Sequence, residues 1–105
     1  MRRGEVWWAE LPLPIGRRPV VLLSRDAAYR VRTSVTVGTV TRTMRGIPVE
    51  VPLGMEDGMT EKCVVNLDDI LTIPKARLSE RITTLSPQKM TAVARAIIFA
   101  LDLRI

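Results

Sequence analysis

Histidine is absent from the sequence and cysteine occurs once, at Cys63, so the side chains that most often run catalysis near neutral pH are nearly all missing. Without imidazole there is no histidine acid–base pair, no serine or cysteine nucleophile activated by histidine, and no histidine metal ligand. A single cysteine excludes an internal disulfide and any multi-cysteine zinc site. Flanked by Val64 and Val65, it reads as a small core residue. Any catalysis must fall to Arg, Thr, Ser, Asp, Glu, Lys or Tyr, and neither a metal nor another cofactor is expected.

Arginine is the conspicuous candidate. The formal net charge is +5, and its distribution is uneven. Residues 1–50 carry nine bases, all arginine (Arg2, Arg3, Arg17, Arg18, Arg25, Arg30, Arg32, Arg42 and Arg45), against Glu5, Glu10, Asp26 and Glu50, whereas residues 51–105 are balanced. The guanidinium plane suits phosphate and stacks on bases, so an anionic partner, RNA or an acidic peptide, is the natural inference. A merely solvated basic surface would have the same charge, and charge alone does not choose.

The elements that must position these groups are mostly short strands. Glu5–Leu11 alternates Val6 and Trp8 with Trp7 and Ala9, and Pro12 and Pro14 then remove ladder donors. The apolar run Pro19–Ser24 predicts a strand buried on both sides, followed by a polar loop from Arg25 to Arg32. Across Thr33–Thr43, Val35 and Val37 set one phase and Val40 the other, which predicts a bulge or bend near Gly38 and an outward-facing Thr41. After a turn at Arg45-Gly46, Ile47, Val49, Val51 and Leu53 alternate with Pro48, Glu50 and Pro52, the pattern of an edge strand.

A loop over Gly54–Glu61 leads to a strand over Cys63–Asp68, on which Asn66 and Asp68 should share a face. Ile70–Ile73 continues extended until Pro74, and Leu78–Leu85 is a last short strand or turn. Ser86-Pro87 opens the one good helix, with Met90, Val93, Ala94, Ile97 and Leu101 spaced to face the sheet. Many strands followed by one terminal helix give an α+β domain, a small, strongly bent antiparallel barrel spanning residues 1–105. No run of about 18 apolar residues is long enough to span a membrane. Met1-Arg2-Arg3-Gly4-Glu5 leads into no signal-peptide apolar stretch, so a cytoplasmic protein is expected.

Read in order, Arg3-Gly4-Glu5-Val6-Trp7, Arg18-Pro19-Val20-Val21-Leu22, Thr39-Val40-Thr41, Val64-Val65-Asn66-Leu67-Asp68 and Leu85-Ser86-Pro87 into a helix with Met90 resemble the MazF/PemK toxins from end to end. No single piece is specific; their order, spacing and total length are. The resemblance implies an SH3-like barrel, a homodimer, and sequence-selective, metal-independent cleavage of single-stranded RNA. The RNA's own 2′-hydroxyl would attack, leaving a 2′,3′-cyclic phosphate and a 5′-hydroxyl, a chemistry that fits the missing histidines.

Carried over by position, the resemblance makes Arg18, Thr41 and Asp68 the catalytic candidates. Arg18 would stabilise the phosphorane with two parallel donors, since arginine keeps its proton and makes a poor base. Thr41 would hold a phosphate oxygen or the 2′-hydroxyl, and Asp68 would be the base. Asn66 would read a base edge. Arg17, Arg25, Arg42 and Arg45 would position phosphates. Trp7 and Trp8 could stack on bases, although a first strand should bury at least one of them.

One departure stands out: Pro12 to Arg17 replaces the longer His- or Glu-containing loop that precedes this arginine in many members. The family also implies a cognate antitoxin whose acidic, partly disordered tail would suit the arginine-rich half. Two alternatives remain. A CcdB-like poison of DNA gyrase uses the same barrel but relies on a Trp-Gly-Ile ending, whereas this chain ends Ala100-Leu101-Asp102-Leu103-Arg104-Ile105. A barrel that binds RNA without cutting it would be expected to show more aromatics than Trp7, Trp8, Tyr29 and Phe99.

Overall fold

A computed structural model describes residues 1–104. Six antiparallel strands, β1 (Glu5–Glu10), β2 (Arg17–Leu22), β3 (Ser34–Thr41), β4 (Glu50–Leu53), β5 (Cys63–Pro74) and β6 (Leu78–Thr84), form one curled sheet, a half-barrel, in the order β4-β5-β3-β2-β1-β6. The terminal helix follows a one-turn helix α1 (Ala28–Val31) in chain order and is α2 (Pro87–Ala100). Ser86 caps α2 by accepting the Lys89 N–H at 3.1 Å, with Pro87 in the first turn.

The sheet buries both of its faces. Val6, Val21, Val40, Val51, Val65, Leu67, Val93 and Ala96 form an inner core under α2, while Ala9, Leu11, Val20, Leu22, Tyr29, Val35, Val37 and Ile73 form an outer one. Val20, Val21 and Leu22 have no exposed surface, as the continuous apolar run predicts for a strand covered on both sides. Of the tryptophans, Trp7 packs on the outer core and donates its Nε1–H to Glu5 at 2.9 Å.

The bend expected near Gly38 is present, but its extra residues belong to β5. Gly38 pairs with Ile70 and Thr39 with Asn66, so Leu67, Asp68 and Asp69 oppose no partner on β3. An odd insertion reverses the phase of β5: Cys63, Val65 and Leu67 point inward, while Leu71 and Ile73 join the outer core. Val35, Val37 and Val40 need no phase change of their own, because they serve different cores. A Cβ at Gly38 would lie 3.0 Å from Val65 and 3.2 Å from Leu67, which explains a glycine where the strands close up.

Four other expectations are corrected. The polar loop over 25–32 contains α1, because Ala28 and Tyr29 reach the outer core. Ile47 is exposed in a turn closed by the Glu50 N–H on its carbonyl at 3.0 Å, and β4 starts only at Glu50. Asn66 and Asp68 do not share surroundings: the bend leaves Asn66 buried and Asp68 exposed. Leu101 lies past the end of α2 and is exposed. No helix among the described residues is long and apolar enough to cross a membrane.

Tyr29, the chain's only tyrosine, is 6% exposed, and its hydroxyl has no hydrogen-bond partner among the described residues, although Ser24 stands beside it. Burial pushes its pKa up to about 12. The fold thus favours the neutral phenol, so this contribution to stability is complete below about pH 10 and is lost as pH rises towards 12. An absorbance titration should show the single phenolate appearing far above the ordinary value, and Tyr29→Phe should remove this part of the alkaline loss of stability. A midpoint near pH 10 in the folded protein would show that the ring is not buried in this way.

Candidate active site

The start of β2 is where the sheet places its chemistry. Glu10 pairs with Arg17 and Ala9 with Arg18 on the β1 side. On the β3 side the ladder runs Leu22↔Val37, Val21↔Gly38, Val20↔Thr39 and stops. Pro19, lacking an N–H, cannot continue it. By alternation along each strand, Arg18 and Thr41 take the face shared by Val20 and Thr39. Arg17, Pro19 and Trp8 take the opposite face. Beyond the last ladder bond an open cleft of about 540 Å³ is lined by Trp8, Arg17, Arg18, Pro19, Thr41, Arg42, Thr43, Thr60 and Glu61, with Val40, Met59, Cys63 and Ile82 at its apolar base.

The arginines of the cleft differ in what already holds them. Arg17 donates from Nε to Glu10 at 3.1 Å and lies over the Trp8 ring, 4.2 Å from its centroid. Arg42 stands 3.7 Å from Glu61, with both side chains largely exposed. Such an exposed pair is worth little and is easily exchanged for another anion. Arg18, half-buried, makes no hydrogen bond or ion pair with any described residue, so its fork of donors is available to a ligand. Thr41 Oγ1 accepts the Thr43 N–H at 3.2 Å, which leaves the hydroxyl proton free for an outside acceptor. Burial, together with the charges of Glu61 and Asp57, pushes the Cys63 thiol up, consistent with an unreactive wall residue.

Of the residues singled out in the sequence, the cleft brings together Arg17, Arg18, Thr41 and Arg42. Arg25, Arg45, Asn66 and Asp68 are not among its lining residues. Arg25 is exposed beside the turn into α1, and Arg45 is exposed at a turn where its backbone N–H donates to Glu50 at 3.0 Å. The Asn66 carboxamide oxygen accepts the Asp68 N–H at 2.9 Å and braces the bend of β5.

The residues missed in the sequence are Glu61, Thr60 and Thr43. Glu61 lies in a loop whose sequence does not set it apart from Glu56 and Asp57; only the folded structure puts it in the cleft, 3.7 Å from Arg42. Among the described residues no group of three or more His, Cys, Asp or Glu stands together to hold a metal.

Three arginines and a threonine hydroxyl thus line one open cleft where the β2–β3 ladder of this small α+β protein stops. Comparison with known proteins supplies the family. Residues 2–101 match the family described as PemK-like, MazF-like toxin of type II toxin–antitoxin system, and the chain belongs to it. It is 43% identical over 91 residues, 86% of this chain and 87% of the relative, to the probable endoribonuclease MazF2 of Mycobacterium tuberculosis. Among solved structures it resembles the Mycobacterium tuberculosis toxin MazF-mt6, with a TM-score of 0.89 at 35% identity over 96% of this chain and 99% of that one. It also resembles an endoribonuclease in complex with its cognate antitoxin from a mycobacterial species, with a TM-score of 0.88 at 30% identity over 100% and 98% of the two chains.

These contacts separate residues that hold the fold from residues the fold leaves free. Arg18→Ala should change unfolding free energy by no more than about 0.5 kcal/mol, as for a surface side chain without partners. Asn66→Ala should cost about 1–2 kcal/mol by orphaning the Asp68 N–H. Denaturant unfolding of both variants checks this, and equal costs would mean that Arg18 has a structural partner after all.

Proposed function

We propose that the chain is an endoribonuclease toxin that cuts single-stranded RNA in the cleft between β2 and β3, with Arg18 and Thr41 as the central pair. The observation that carries this reading is the unpartnered Arg18 guanidinium in one cleft with a hydroxyl whose proton is free. The similarity to proteins named endoribonuclease MazF supports it.

The reaction needs little from the protein except charge and geometry. The 2′-oxygen attacks the neighbouring phosphorus as its proton leaves for a base. The bond to the 5′-oxygen breaks, and that oxygen takes a proton to leave as the 5′-hydroxyl. In between, the phosphorane gains negative charge, which the Arg18 fork meets with two N–H donors and Thr41 with a third. Arg42 holds a flanking phosphate once it exchanges Glu61 for it. Glu61 then has no cation partner and is the carboxylate lining the cleft, better placed for the base role than Asp68.

Two partners belong to the same proposal. An antitoxin with an acidic, flexible tail would lay carboxylates along Arg17, Arg18 and Arg42 and deny RNA the cleft. A homodimer is supported by the exposed apolar side chains Phe99, Leu101 and Leu103 at the end of α2, which a second copy could cover. The cytoplasm, where both RNA and antitoxin are made, is the site of action in this reading.

Incubation of the purified protein with a long mixed-sequence RNA in excess chelator, followed by sequencing of the fragment ends, should give discrete cuts that carry cyclic phosphate. Arg18→Ala should lower the rate by about 10²–10³-fold, the scale of removing one donor from a developing oxyanion. Near-normal cleavage would take Arg18 out of the mechanism, and intact RNA with the unaltered protein would overturn the reading. Glu61→Gln should cost about 10²-fold or more, the scale of a general base, and Asp68→Asn much less. The reverse order would return the base role to Asp68.

A further inference from the structure

Sequence reasoning puts Arg17 among the phosphate contacts, but its surroundings suit a different task. Glu10 lies directly across the β1–β2 ladder from Arg17, and Trp8 lies diagonally across on the same face. Arg17 therefore has an acceptor at one edge and an aromatic ring beneath it. The Nε bond to Glu10 pins the guanidinium, and the 4.2 Å spacing from the Trp8 centroid lays it over the ring. The carboxylate already occupies the Nε edge of the guanidinium. What remains is a flat, oriented surface one residue from Arg18, on the wall of the same cleft.

We infer that Trp8 and Arg17 form a stacking platform for an unpaired nucleobase next to the scissile phosphate, with Glu10 as the residue that holds the platform in place. The base lies on the outer face of the guanidinium and completes a Trp–Arg–base stack, the way single-stranded RNA bases are held on aromatic and guanidinium planes. Arg18 takes the phosphate, and Arg17 takes the base beside it. Because a purine covers more of the plane than a pyrimidine, the platform selects for a purine at that nucleotide. This rests on the endoribonuclease reading for its substrate and adds a source of sequence preference to it.

The test is a binding cycle with a short RNA that contains a cut site and has a 2′-deoxy nucleotide at the attacking position, so that it cannot be cleaved. Its affinity is compared with that of oligonucleotides made abasic at each nucleotide flanking the cut, for the unaltered protein, Arg17→Ala, Arg17→Lys and Glu10→Gln. In the unaltered protein, one abasic position should weaken binding about tenfold, the scale of one stacked base. In Arg17→Ala and in Arg17→Lys that penalty should vanish, since lysine keeps the charge and loses the plane; in Glu10→Gln it should shrink.

A full abasic penalty in Arg17→Lys would reduce Arg17 to a charge contact and overturn the inference, as would the absence of any abasic penalty in the unaltered protein. Tight binding with the cycle flat at Arg17 leaves the endoribonuclease reading standing. Failure of the unaltered protein to bind any RNA overturns both.

Discussion

The protein depends on the burial of β2 from both sides. Val20, Val21 and Leu22 have no exposed surface, with Val20 and Leu22 in one core and Val21 in the other. Removing three such side chains from water stabilises the fold by about 1.5–3 kcal/mol each, and their alternation fixes the strand's phase. A slip of one residue would exchange the two cores and is not tolerated. That same phase sends Arg17 to the face of Trp8 and Arg18 to the face of Thr41. The orientation of the cleft's chemistry is a by-product of packing a few residues away.

A cleft exists at all because the sheet stops pairing there. Pro19 removes a donor at the position where β2 and β3 would otherwise continue, and the strands part beyond Val20↔Thr39. The opening lies between backbones held firmly on the other side, where β2 pairs with β1 as far as Arg17. On the far wall, the loop after β4 is fixed by Thr83, which donates to the Asp57 carbonyl at 3.0 Å, and by Lys89, which stands 3.6 Å from the Asp57 carboxylate. Gly58, at φ +92°, lets the loop turn back so that Met59 enters the core and Thr60 and Glu61 reach the cleft.

Within that frame the arginines divide by partner. One is stacked and pinned, one is loosely paired at the rim, and one is free. A polyanion threading the cleft would meet a planar surface, an exchangeable ion pair and an unoccupied fork in one short span. A disordered acidic tail would find the same three groups, so one charge pattern serves for both the proposed substrate and the proposed inhibitor.

Much of this was legible in the order and pattern of the residues. Alternation and proline placement marked the strands, the doubly apolar run marked the central strand, Ser86-Pro87 marked the start of α2, and the order of short motifs carried the family with Arg18 and Thr41. The missing histidines confined the chemistry to guanidinium, hydroxyl and carboxylate groups. Which candidates meet was not legible there and follows from the folded chain. Asp68 and Asn66 are two residues apart on one strand, yet an insertion opposite Gly38 leaves one exposed and the other tied to the first one's backbone. Glu61 lies twenty residues from Thr41 in an unpatterned loop and reaches the same cleft. Period and composition report which face of its own element a residue takes. Register across strands and the path of loops depend on contacts distant in sequence, and those decide which side chains share a site.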